Sequence, residues 1–291
     1  MTVTVYKSTD ASAPVLTGEV GSLNALLYAC LVTGYGAKPG AGWTRAFNDA
    51  PNYTSVFLQG SGSSGRYLRV DDGGPGTGAA KEARATGYET MSDVDTGTNP
   101  FPSAAASPAS YTVIRKSTTA DATARAWKIF ADHATVYVFL YSGDTAGEPR
   151  AFAFGDIYSF MTTTDDYRCA IIGRSTENSG LSGTSFVQTL VTTRDVISQS
   201  WVCRSYTGVG TSVQFGKHVD TVKNGAVTRV GGGGESYPAS VNNGILFGPV
   251  YVHELNKLRG RMRGFWCLFH NLPLADGDTF TGTGDMTGRS F

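Results

Sequence analysis

The stretch RAWKIFADHATVYVFLYSGDTAGEPRAFAFGDIYSF (residues 125–160) decides the fold class. It holds three segments, RAWKIFAD, TVYVFLYS and RAFAFGDIYSF, with period-two alternation, the spacing at which side chains of an extended strand return to one face. Gly, Asp and Pro separate them, as they do at turns between strands. The pattern continues outward on both sides. TRAFND, YTSVFLQ, RYLRVDD, KEARATGYETM and SYTVIRK precede it, and RCAIIG follows. A succession of short strands punctuated this way predicts a mostly β protein, an antiparallel sandwich or barrel-like sheet with Gly-rich loops. Parallel α/β organisation is disfavoured because no repeated ten-residue helical pattern lies between the strands.

One helix interrupts the strands. In GSLNALLYACLVTGYG (21–36), Leu23, Leu26, Leu27, Cys30 and Leu31 follow the i, i+3, i+4, i+7, i+8 spacing of a helix with one apolar face. Ser22 is placed as its N-cap and Gly34 as its stop, so a helix is expected over about 21–34, covering one face of a sheet. Trp43, Trp127, Phe152, Phe154 and Trp266 are the expected core aromatics. Residues 1–174 read as a β-rich N-terminal region, 175–243 as an inserted subdomain or long-loop region, and 244–291 as C-terminal strands completing the main sheet. The flexible borders are RSTENSGLSGTS (174–185) and VGGGGESYPASVNNG (230–244), and NPFPSAAASPAS (99–110) is an irregular connection. GILFGPVYVHEL (244–255) echoes RAFAFGDIYSF (150–160) through a shared Phe-Gly-x-aliphatic-Tyr core, a hint of two related strands.

Composition narrows the function. Lys and Arg total 24 against 24 Asp and Glu, which removes the long-range field that draws a chain to nucleic acid or an anionic membrane. Protein surfaces are the expected partners. Glycine supplies 37 of 291 residues, nearly twice the usual ~7%, without the period of collagen. No apolar run approaches the ~20 residues of a membrane-spanning helix. Met1 to Tyr6 alternates apolar and polar residues and so does not resemble a secretory leader. Cytoplasmic synthesis is expected, with Cys30, Cys169, Cys203 and Cys267 as reduced, buried thiols.

Known catalytic and ligand-binding patterns fail on context. GSGSSG (60–65) has the letters of a dinucleotide fingerprint, but Arg66 to Val70 reads as a strand where a helix is required, so a hairpin connection is expected. Four glycines at 231–234 lack the following Gly-Lys-Ser/Thr of a phosphate loop. His253-Glu254 starts a zinc-helix motif, but Lys257 stands where the second imidazole belongs. His133, His218 and His270 complete the histidines, and each is read as exposed or core-lining. Asp71-Asp72, Asp165-Asp166 and Asp276/Asp278 are paired carboxylates, best read as turn or cap residues. Asp93 and Asp95 begin a calcium-loop pattern that lacks its closing Glu. No catalytic, cofactor or metal residue is assigned.

One charge pattern points to interaction. Lys257, Arg259, Arg261 and Arg263 alternate with Leu258, Gly260, Met262 and Gly264, so a regular strand sets four cations on one face. In a neutral chain such a face is expected to meet acidic groups within or between subunits.

Several long strings add a resemblance: the opening MTVTVYKSTDASAPVLTG, GYGAKPGAGWTRAF (34–47), YLRVDDGGPGTGAAKEARATGYETMSDVDTGTNPFP (67–102), FAFGDIYSF (152–160) and RGRMRGFWCLFHNLPLADGDTFTGTGDMTGRSF (259–291). In these the chain resembles a family of uncharacterised virion structural proteins encoded in tailed bacteriophages and prophages. The strings carry no assigned chemistry, so no functional residue is transferred. What the resemblance implies is a non-enzymatic tail- or neck-associated component of a short-tailed phage, located in the virion. Its implied partners are further copies of itself and an adaptor, nozzle or portal protein. A receptor-binding or capsid-decorating module is the alternative, for which an exposed aromatic patch without a groove is expected. A cell-surface glycan depolymerase instead requires paired carboxyl groups in an aromatic-lined groove.

Overall fold

The computed structural model describes residues 3–73, 81–107, 109–143, 149–161, 165–174, 198–223, 226–230, 245–254 and 257–270. The structure is mostly β, with one helical segment of 12 residues among the described residues, and the strands form a large curled antiparallel sheet, a half-barrel. In chain order the first elements are β1 (Thr4–Lys7), α1 (Ser22–Tyr28, running on as a π-helical segment, Ala29–Thr33), β2 (Thr44–Asp49), β3 (Thr54–Leu58), β4 (Tyr67–Asp71), β5 (Glu82–Tyr88), β6 (Thr90–Met91), β7 (Gly97–Thr98) and β8 (Thr112–Arg115). The central strands are β9 (Trp127–Ala131), β10 (Thr135–Leu140), β11 (Arg150–Ser159) and β12 (Cys169–Arg174). The last are β13 (Ser198–Arg204), β14 (Thr211–Gln214), β15 (Gly216–Lys223), β16 (Ala226–Val230), β17 (Ile245–Glu254) and β18 (Lys257–His270).

Along the curl the order is β2-β3-β4-β5-β8-β12-β11, and β11 continues to β18, β17, β15 and β16. β10, β9 and β1 extend from β11, while β13 and β14 extend from β12. β6 and β7 form a separate ribbon. β13 and β14 therefore belong to the main sheet, and residues 175–185 and 231–244 of the expected flexible borders lie outside the described residues. GSGSSG connects β3 to β4, antiparallel neighbours, as the hairpin reading requires.

Period-two alternation builds two cores. Ile129, Ala131, Val136, Val138, Leu140, Phe152, Phe154, Cys169 and Ile171 point to the concave side, where Leu23, Leu26, Leu27, Cys30 and Leu31 of the helix fill the curl. Trp43 and Trp127 are buried there too, whereas the Trp266 side chain lies outside the described residues. The alternate positions, among them Tyr137, Ala151, Ala153, Ala170, Ile172 and Val202, face outward beneath Phe215, Val250, Val252 and Met262. Small alanines on this face let β17 and β18 pack close, so the middle of the sheet is covered on both sides. Each large apolar side chain so withdrawn from water contributes about 1.5–3 kcal/mol.

The helix boundaries need one correction. Gly21, not Ser22, is the N-cap, with φ of 79° and no side-chain cap of its own. A Cβ there would meet the Tyr53 ring at 2.6 Å, which restricts the position to glycine. The free helix N–H groups are met from afar: Leu23 N donates to Asp72 Oδ2 at 2.8 Å and Asn24 N to the same oxygen at 3.4 Å. Asp72 is fully buried and its other oxygen accepts from the buried Lys116 ammonium. The expected turn or cap carboxylate is thus a cap for a helix 49 residues away in sequence.

Candidate interaction surface

β18 crosses the end of β11 and returns along β17, and its opening residues carry the four expected cations. They do not share a face. Val252 pairs with Gly260 but His253 pairs with Leu258, so Arg259 is an extra residue on β18. Such a bulge re-aims the side chain it carries. Arg259 turns inward and is fully buried. Its Nε and Nη2 donate to the two oxygens of Asp165 at 3.2 and 3.0 Å. Nη1 donates to Glu254 at 2.8 Å and to the Arg204 carbonyl at 2.7 Å, and Nη2 donates again to the Tyr167 carbonyl at 2.8 Å. All five guanidinium donors are used, so Arg259 is a fastener inside the fold rather than part of an exposed cationic face.

The other three cations diverge as well. Arg263 Nε donates to Asp132 at 3.2 Å and lines a cleft. Lys257 is exposed and donates to the Tyr206 hydroxyl at 2.6 Å, a hydrogen bond that raises its pKa above the ordinary lysine value. Arg261 lies over the Tyr158 ring, 5.0 Å from its centre.

Around Arg261 the sheet presents a distinct arrangement. Tyr158 of β11 and Tyr251 of β17 both stand opposite Arg261 in register, one on each side. Cross-strand partners share a face, so the three side chains form a row across three strands. These tyrosines occupy the same place in the two echoing segments, FGDIY and FGPVY. The neighbouring positions Ile157, Met262, Val250 and Val252 face the core, which leaves the row on the outside. Phe160 packs edge-on against Tyr158 at 5.9 Å. Tyr158, Phe160 and Leu258 are 54%, 43% and 39% exposed, values high enough to make this a patch and not a covered seam. Glu254 and Asp165, the carboxylates held by Arg259, are buried, so the charge that Arg261 brings to this face is positive. Tyr, Phe and Arg are the side chains that dominate protein interfaces.

A separate cleft of about 220 Å³ is lined by Phe130, Tyr137, Phe139, Asp132, Thr135 and Arg263, with Val3 at its rim. Phe130 and Phe139 meet edge-on at 5.7 Å. Asp132 is committed: one oxygen accepts from the N–H groups of Ala134 and Thr135 at 2.8 and 2.9 Å, the other from Arg263.

The remaining sequence candidates fall elsewhere. Asp165 serves Arg259, the Asp166 carbonyl accepts from Arg66 at 2.9 Å, and Asp276 and Asp278 lie outside the described residues. Asp95 pairs with Arg69 at 2.6 Å, and among the described residues no three His, Cys, Asp or Glu side chains cluster to hold a metal. Cys30, Cys169 and Cys203 are buried and free. Among the described residues no helix is long and apolar enough to cross a membrane. Sequence reasoning missed Tyr158, Tyr251 and Phe160; the echo between the two strands was the signal that marked the tyrosines. Comparison of the chain with protein-family models and with curated proteins finds no match.

Proposed function

We propose that the chain is a non-enzymatic virion structural protein of a tailed phage, a tail- or neck-associated scaffold or attachment component assembled in multiple copies. The observation that carries its docking role is the outward Tyr158–Arg261–Tyr251 row, with Tyr158 exposed at one end and the exposed Phe160 and Leu258 beside it. The virion setting rests on the sequence resemblance. In this reading the helix-filled half-barrel is a rigid support, and the row is the surface that meets a neighbouring copy or an adaptor, nozzle or portal subunit. Aromatic rings supply apolar area at low entropic cost, and Arg261 supplies directional hydrogen bonds.

Mass spectrometry of purified virions separated into heads and tails tests the proposal. The chain is expected in the tail fraction at a copy number that is a multiple of three or six, and absence from virions overturns it. A second reading, a receptor-binding or capsid-decorating module, is favoured by the same exposed aromatic patch and predicts a distal or head location in that experiment. The aromatic cleft gives the depolymerase reading less support, because its described lining includes one carboxylate, Asp132, already bound to Arg263.

A further inference from the structure

Two thiols face one another inside the sheet. β12 and β13 run antiparallel with Ala170 opposite Val202 and Ile171 opposite Trp201. Continuing that register by one residue sets Cys169 opposite Cys203. Both side chains point to the concave core beside Ile171 and Trp201, both are fully buried, and both are free. Directly opposed residues of an antiparallel pair have Cα atoms about 4.5–5.5 Å apart, inside the span of about 4.4–6.8 Å that a disulfide bridges. Their Cβ atoms stand about 4.5–5.5 Å apart and must close to about 3.5–4.5 Å, a small approach of two neighbouring strands.

We propose that Cys169 and Cys203 are a latent redox site, a dithiol that a low-molecular-weight disulfide converts to a cross-strand disulfide tying β12 to β13. A thiolate of one cysteine attacks the small disulfide and releases one thiol. The second cysteine then attacks the mixed disulfide and releases the other. The chain loses two hydrogens and the oxidant gains them as two thiols. The core sets the rate. Burial raises the Cys203 thiol to about 12 and holds Cys169 well above the ordinary thiol value, so few thiolates form in the closed fold. Cys203 Sγ also rests on Glu89, which is held by Arg204 and Asn99. Access comes from the edge: β14 has four residues and among the described residues pairs only with β13, so the β13–β14 ribbon is the part of this region with the least to break on opening. A chain made in a reducing cytoplasm keeps the site open, and transfer to an oxidising medium closes it. This inference is independent of the virion reading.

The test incubates the purified full chain with oxidised glutathione at about pH 8.5, near the free thiol pKa, with and without sub-denaturing urea, followed by non-reducing peptide mapping. The expected product is a Cys169–Cys203 linked peptide, formed faster with urea, in a chain with a higher thermal midpoint that returns to the starting value on reduction. Cys30→Ser leaves the product unchanged. Persistent glutathione adducts at either cysteine, bridges from Cys169 or Cys203 to other cysteines in place of this one, or no reaction in urea overturns the proposal. Because the mapping is done on the unsubstituted chain, the test stands even if Cys169→Ser or Cys203→Ser fails to fold.

Discussion

The concave and outer sides of the central strands are built from alternate residues of the same segments, yet they hold the molecule together differently. On the concave side Phe152, Phe154, Ile129 and Trp127 pack around the helix, with large side chains filling a curl. On the outer side Ala151, Ala153 and Ala170 form a shallow surface on which β17 and β18 lie. Volume stabilises the first side, and closeness stabilises the second. The outer layer also relies on the buried Arg259, which binds β18 to Asp165 and Glu254. One face is therefore sensitive to lost volume, and the other to added volume and to lost charge pairing.

The largest effects break this comparison outright. Phe152→Ala is expected to cost about 3–5 kcal/mol in chemical denaturation, because the helix cannot settle fully into the space left. Arg259→Ala is expected to cost a similar ~3–5 kcal/mol, since it strands two buried carboxylates. If Arg259→Ala is neutral, the outer layer does not depend on that fastener. Ala153→Leu inverts the logic and is expected to cost about 1–3 kcal/mol by pushing the outer layer away, although it adds apolar surface.

Titration separates the layers further. Lys217 of β15 stands opposite Val252 and is buried, which lowers its pKa from 10.5 to about 7. Between those values the unfolded chain binds a proton that the folded chain does not, so stability is expected to rise as pH increases from about 7 toward 10.5. Below about 7 both states are protonated and the penalty is fully present. Lys217→Met is expected to flatten this slope, as followed by denaturant midpoints across the range. An unchanged slope assigns it to other groups. The smallest stability effects belong to the outward row, where Tyr158→Ser and Arg261→Ser are expected to stay within about 0.5 kcal/mol of the parent in thermal melts.

The strands and the helix were legible because their signals are local. Alternation in RAWKIFAD and TVYVFLYS, and the leucine spacing from Leu23 to Leu31, depend on neighbours a few residues away. The dispersal of the four cations was not legible. A single extra residue at Arg259 turns the alternation over, and the register that creates it is set by β17, not by β18's own sequence. Asp72 was legible as a turn or cap carboxylate but the helix it caps was not, since that helix lies 49 residues away and nothing near Asp72 announces it. The row fell between these cases. The FGDIY and FGPVY echo was visible, but its meaning needed β18 to lie between the two strands with Arg261 at the shared register.

The most direct measurement is quantitative mass spectrometry of virions assembled with the parent chain or with Tyr158→Ser/Arg261→Ser, each chain first matched for thermal midpoint. The account predicts that the variant keeps its fold and falls at least tenfold in copies per particle. Equal incorporation of the two chains would contradict it.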